Sequence, residues 1–302
     1  MIVSTLRATA LAWLCAAGTA AAAAPDLDAY RAQEIQRLAA RADRDSLIAA
    51  VLLDLVNAAP ARAPRERLRE HGADPLAAYV LAWACQRDAA CDGRDAGAYA
   101  KLAPDDAIAA LLLPAGRAPD AATLHKAAAA TQADSRLGAA LGVVRAALAA
   151  TDDASRERRR AMVDAVPLPA FAGVVALCKA PADAALRADC LAVGKTLMAD
   201  RGGAVLVRMV GSAIVRRASP GTPDAGAALA LRRDYVWMAD ALRDLAPAAR
   251  ETLQADVAAL GEWTAYQRAA ERATGRTAPP ANWTPGDPNL LRLPEERTPP
   301  SP

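Results

Sequence analysis

Aromatic side chains are scarce here: one Phe, five Tyr and five Trp make up 4% of 302 residues. Histidine is scarcer still, with only His71 and His125. They lie in separate segments, and neither has a second nitrogen or thiolate ligand at metal spacing, so no metal site is expected. Glu66, Glu70 and His71 share part of one helix face, but no HExxH or HxxEH pattern accompanies them. Cys-x-x-Cys spacing is absent, which excludes the usual redox-active pair. No glycine-rich loop follows a strand-like run, so nucleotide-binding motifs fail as well. Ser212 sits in the apolar run MVGSAIV without the Gly-x-Ser-x-Gly turn that exposes a nucleophile.

Net charge is also nearly missing. Lys and Arg number 36 against 34 Asp and Glu, a formal balance of +2. That leaves no whole-protein field to attract nucleic acid or anionic lipid. The basic clusters at 156–160, Arg216-Arg217 and Arg232-Arg233 lack interleaved aromatics, which argues against nucleic-acid binding. They read as solvated helix faces or as cations near helix ends, where they favour the dipole. Long apolar runs are lacking too. Residues 202–215 (GGAVLVRMVGSAIV) are too few to span a bilayer and carry Arg208, so a buried helix is expected. The late carboxylates Glu251 and Glu262 are candidates for carboxylate chemistry of the lytic-transglycosylase kind. Both fall in a strongly periodic segment without that family's Glu-Ser and glycine-rich context. No catalytic residue, cofactor or metal is therefore assigned.

Alanine is abundant, at more than a quarter of the chain, and it is the best intrinsic helix former. The first residues have the form of a secretory signal: one Arg at position 7, an apolar stretch over 8–17, and small residues over 20–24. Cleavage after Ala23 is expected, because a cut after Ala24 would place Pro25 at the scissile bond. Leu14 precedes Cys15 where a lipobox needs a small residue. Four cysteines then remain: Cys85, Cys91, Cys178 and Cys190. An even number in an exported chain points to two disulfides. Three pairings are possible; the local ones, Cys85–Cys91 and Cys178–Cys190, are preferred because a polar break and Pro181 lie within them.

A motif recurs about every thirty residues. Copies begin at Ala42 (ADRDSLIAAVLL), Ala73 (ADPLAAYVLAWA), Ala103 (APDDAIAALLL) and Ala133 (ADSRLGAALGVV). Looser ones begin at Val163 and Ala199. Each opens on Asp or Pro, residues that cap and initiate helices, and continues as an apolar run. More polar segments such as the arginine-rich 64–72 and 119–130, which carries His125 and Lys126, separate them. One buried and one amphipathic helix per unit is the pattern of an α-solenoid.

The segment YAKLAPDDAIAALLL (99–113) resembles the junction between tetratricopeptide (TPR) repeats, with Leu102, Pro104, Ala107 and Ala110 at the turn and packing positions. Residues 71–84 and 241–253 are similar. The period is nearer thirty than thirty-four, and the family's Trp and Gly-Tyr positions in the first helix are absent, so the likeness is to a TPR-like repeat. It implies an all-α solenoid with a concave surface that holds peptides or proteins.

After Ala199 the helices lengthen. Two long ones are expected over 224–245 and 247–274, closing the stack with Trp237, Leu242, Leu245, Leu253, Leu260 and Trp263 as their seam. Beyond Gly275, prolines and turn residues preclude a helix. This tail should be disordered, or extended along the surface with Trp283 and Leu290-Leu291 as anchors. The expected organisation is thus a signal peptide over 1–23, a helical repeat domain over 24–275 and a Pro-rich tail over 276–302. The expected function is that of a periplasmic or secreted binding or scaffold module of the cell envelope. Its partner would be a protein or peptide rather than nucleic acid, and no stable membrane insertion follows signal cleavage. The alternatives are an assembly or structural factor that docks through its tail and, less favoured, a cell-wall enzyme.

Overall fold

A computed structural model describes residues 24–57, 60–148 and 153–297. The expected signal peptide lies outside these residues. Fifteen α-helices run through them, with no strand element; Asp106 and Gln132 form one isolated bridge. None of the described helices is long and apolar enough to cross a membrane.

The recurring motif becomes helices α2 (Arg44–Asp54), α4 (Pro75–Cys85), α6 (Ala107–Leu111) and α8 (Leu137–Ala147). The first three start as the sequence logic expects, whereas α8 begins after Arg136 without a side-chain cap. Asp43 accepts the Ser46 N–H, Asp74 accepts those of Leu76 and Ala77, and Asp106 accepts that of Ile108. A carboxylate there satisfies amides that have no partner within the helix and complements the dipole. Between them lie the polar helices α3 (Arg62–Arg69), α5 (Arg94–Leu102) and α7 (Ala121–Ala128).

Nine consecutive residues are buried in α2, from Ser46 to Asp54, and nine in α4, from Ala77 to Cys85. Helices enclosed on all sides form the centre of a core rather than one of its faces. Helix α2 touches α1 (Ala24–Ala39), α3, α4 and, far along the chain, α8. Helices α6 and α7 both meet α11 (Ala184–Met198). In a strict one-dimensional stack each repeat touches only its neighbours. Here the helical pairs also fold back on one another.

The looser copy at Val163 does not form one helix. Helix α9 (Asp153–Asp164) ends, an extended stretch through Pro167 and Pro169 follows, and α10 (Ala172–Leu177) begins anew. The copy at Ala199 yields α12 (Val205–Ala218), which crosses α11 at paired glycines. A Cβ on Gly211 would stand 2.6 Å from the Gly194 carbonyl oxygen, and one on Gly194 would stand 3.1 Å from that of Gly211. Only glycine lets these backbones approach so closely.

Three helices replace the two expected at the end: α13 (Pro223–Ala241), α14 (Pro247–Leu260) and α15 (Glu262–Thr274). The break falls at Gly261, whose φ of 80° lies in the region that side chains with a Cβ avoid. Of the expected seam, Trp237 and Trp263 are buried, in a second cluster with Val205, Met238 and Ala270. Helix α14 buries none of its residues fully, so Leu253 and Leu260 are only half-covered. Both preferred cysteine pairs stand at disulfide distance, with Cα–Cα separations of 5.4 Å for Cys85–Cys91 and 5.7 Å for Cys178–Cys190.

Candidate functional site

The N-termini of the repeated helices are tied together by two buried carboxylates, Asp106 and Asp200, and the half-buried Glu262. Asp106, 2% exposed, accepts from the Tyr99 hydroxyl at 2.8 Å and from the Asp134 N–H at 3.1 Å. Asp200 is fully buried; it takes the Ser135 N–H at 2.7 Å, the Ser135 hydroxyl and the Ala204 N–H at 2.8 Å. Glu262 accepts the Val205 N–H at 2.8 Å, at the first residue of α12, and contacts the Tyr266 hydroxyl. Burial raises the carboxyl pKa of all three, and their donors only partly offset it. Tyr235, close to Glu262, is pushed up to about 12, first by its own burial.

Raised carboxyls in a polar cluster are a common mark of acid–base sites. Here each oxygen faces a main-chain amide or hydroxyl that needs it, which makes the cluster a helix-capping lattice. Glu262 thus becomes the cap of α12, while Glu251 is exposed on α14. Asp200→Asn should cost about 2 kcal/mol in urea unfolding, because the amide NH2 faces a buried N–H and leaves it without an acceptor. A change below half of that would reassign Asp200 to some other role.

The residues singled out for chemistry are dispersed. His71 is placed 3.2 Å from the Ala42 carbonyl oxygen and His125 3.2 Å from Asp189. The Ser212 hydroxyl donates to the Ala228 carbonyl at 2.8 Å, joining α12 to α13 from a buried position. Among the described residues no group of three His, Cys, Asp or Glu side chains could hold a metal ion. The four cysteines act as two cross-links, at the end of α4 and between α10 and α11.

Two small depressions among the described residues bear on the question. One, of about 100 Å³, is lined by Arg62, Arg65, Arg69 and Arg94, but Asp88, Asp95 and Asp92 neutralise the last three. The other, of about 140 Å³, lies between Phe171 and the end of α6 with the 112–119 loop that follows it. At its rim the Gln86 amide pairs with the Ala170 backbone in both directions, at 3.2 and 3.0 Å.

The arginine pairs of α12 and α13, expected as solvated faces or as cations near helix ends, form the most developed surface; Arg216 and Arg217 do lie in the last turn of α12. Both pairs hold the tail. Arg216 donates to the Leu291 carbonyl at 2.7 Å, and Arg232 donates to that of Leu290 at 2.6 Å. Arg233 reaches the carbonyls of Pro280, Ala281 and Trp283 and lies over the Trp283 ring, 5.7 Å from its centroid. Arg217 grips Glu295 through both carboxylate oxygens, at 2.6 and 3.0 Å, and Arg216 meets Glu296 at 2.7 Å. Leu293 and Pro285 are buried, and Trp283, Leu290 and Leu291 are half-buried.

Over 276–297, therefore, disorder gives way to an extended course with two short 3-10 turns, at Pro288–Leu291 and Pro294–Glu296. The residues beyond 297 lie outside the description. The anchors were visible in the sequence. Their arginine partners were visible too, but nothing in the spacing joined them.

Hydrogen bonds from Arg217 hold the Glu295 carboxyl at about 2, below the usual 4.5. A depressed carboxyl stabilises the docked tail above its free pKa, and that contribution is lost as pH falls through the bound one. Acidification from pH 5 to 2 should therefore loosen the tail. The check is the difference in tryptophan emission between the natural chain and Trp283→Phe. A difference spectrum unchanged down to pH 2 would refute this.

Comparison of the chain with known protein families, characterised proteins and solved structures finds no match.

Proposed function

We propose that this protein is a periplasmic or secreted binding module of the cell envelope, built from TPR-like helical pairs and acting on protein or peptide partners. One observation carries the reading: the α12–α13 face holds an extended, proline-rich segment through arginines aimed at main-chain carbonyls. Contacts of that kind recognise an extended chain largely independently of its side chains, as peptide-binding surfaces do. Two cysteine pairs at disulfide distance fit an oxidising compartment and support export. A solenoid ancestry is supported by the Asp-capped helices that recur about every thirty residues, here closed by long-range contacts such as α2 with α8.

The alternative of an assembly factor docking elsewhere through its tail is less well supported, since Trp283 and Leu293 are engaged on the protein's own body. An enzymatic reading loses its best residue, because Glu262 caps a helix. The test is purification from the native envelope, with and without residues 276–302. A partner retained by the shortened chain supports recognition by the helical body. Loss of the partner with the tail would favour the docking alternative, and absence of any partner from both would end the reading.

A further inference from the structure

We infer that the arginine face of α12 and α13 is a binding site for an extended, leucine-containing peptide that ends in paired carboxylates, and that residues 280–297 are its resident, displaceable occupant. This rests on the reading of the protein as a binding module. The occupant displays the chemistry the site accepts. Arg216, Arg232 and Arg233 take up main-chain carbonyls at Leu291, Leu290 and Trp283. Side-chain selection comes from Leu293, buried at 6% exposure, and from Glu295 and Glu296 against Arg217 and Arg216. With the tail in place the side chains of Arg217 and Arg216 are 7% and 10% exposed, so the occupant and the helices together take these cations out of water. Sheltered guanidiniums need an acidic partner whichever chain supplies it.

The attachment also suits exchange. Helix α15 stops at Gly275, whose φ is 69°, and residues 276–278 are exposed. The segment that follows is rich in proline, so little conformational freedom is lost when it docks. A short tether holds it near the site at an effective concentration of about 1 mM. A free peptide with a Kd of roughly 10 μM for the open site would then meet the full chain about a hundredfold more weakly. The natural partner would be a protein segment with a leucine–proline core and an acidic pair, able to out-compete the tail.

The test uses the full chain and a fluorescein-labelled synthetic peptide of residues 285–297. Anisotropy titrations compare the natural protein with Glu295→Gln/Glu296→Gln, which removes the carboxylate partners of both arginines without altering the arginines themselves. The variant should bind the peptide at least tenfold more tightly than the natural chain does. A peptide carrying Gln at both acidic positions should lose that gain. Equal affinity for the two proteins, or no binding to the variant, overturns the inference and makes the tail a fixed strap. Should the double variant fold poorly by circular dichroism, Trp283→Ala loosens the tail from its other end, and the same two outcomes decide. A negative titration alongside a partner retained from the envelope would sink only this inference; the broader reading falls only if no partner is found.

Discussion

Gly202→Ala should remove the cooperative unfolding transition or lower stability by more than about 4 kcal/mol, the range reserved for changes that force backbone apart. A Cβ at this position would stand 1.7 Å from the Ser135 carbonyl oxygen and 2.6 Å from its carbon. Neither side can retreat. The Arg201 N–H is bonded to the Ala133 carbonyl at 2.8 Å, and the Ser135 N–H to Asp200 at 2.7 Å, so the two loops are pinned on either side of the contact. Moving them would also strip donors from a buried carboxylate, which adds to the cost of the clash. Gly226→Ala is the internal control. It lies within α13 with nothing inside 4 Å of a Cβ, and alanine there should stabilise by up to about 1 kcal/mol. Urea unfolding of the two variants should thus move in opposite directions. A Gly202→Ala protein with a midpoint near the natural one would mean that the 133–135 and 200–203 loops are not held together in solution.

Reduction of both cysteine pairs is the second large effect expected. Cys85–Cys91 closes a separation of 6 residues and Cys178–Cys190 one of 12. Loop-closure entropy assigns about 2 kcal/mol to the first and about 3 kcal/mol to the second. Together that is about 5 kcal/mol, against a total stability of roughly 5–15 kcal/mol for ordinary proteins. The protein should therefore unfold at much lower urea in the presence of a phosphine reductant. Cys178→Ser/Cys190→Ser should show the larger share of the loss. Cys85, Cys178 and Cys190 are fully buried, so reduction ought to be slow until the chain opens, and the two states can be compared after refolding. A combined shift under about 1 kcal/mol would show that packing alone holds these helix ends.

Much of the fold could be read locally. Asp43, Asp74 and Asp106 announced helix starts because a short carboxylate ahead of an apolar run has one favourable use, the capping of free amides. The cysteine pairs were legible because their spacings suit local closure. The end of α14 was not. Gly261 sits in a segment whose alanines and leucines keep a helical period, and it breaks the helix because α15 must turn to place Glu262 and Trp263 against α12. The candidate site escaped for a related reason. Glu295 and Glu296 lie 78 and 80 residues from the arginines they meet, and no periodicity connects positions so far apart.

The sequence by itself therefore determined the helical class, the Asp-capped starts of α2, α4 and α6, the cysteine pairs and the absence of a continued helix past Gly275. Each follows from propensity, periodicity or spacing within about thirty residues. Tertiary structure alone decided that the repeated helices fold back, α2 onto α8, and that Asp106, Asp200 and Glu262 serve neighbouring helices. It alone decided that the arginines of α12 and α13 hold the tail. The fold-back of α2 onto α8 joins apolar faces that local periodicity cannot pair, and for the carboxylates and the arginines the reason is electrostatic. A buried carboxylate or guanidinium is stable only where distant donors, acceptors or opposite charges converge on it, and that convergence is a property of the packed chain.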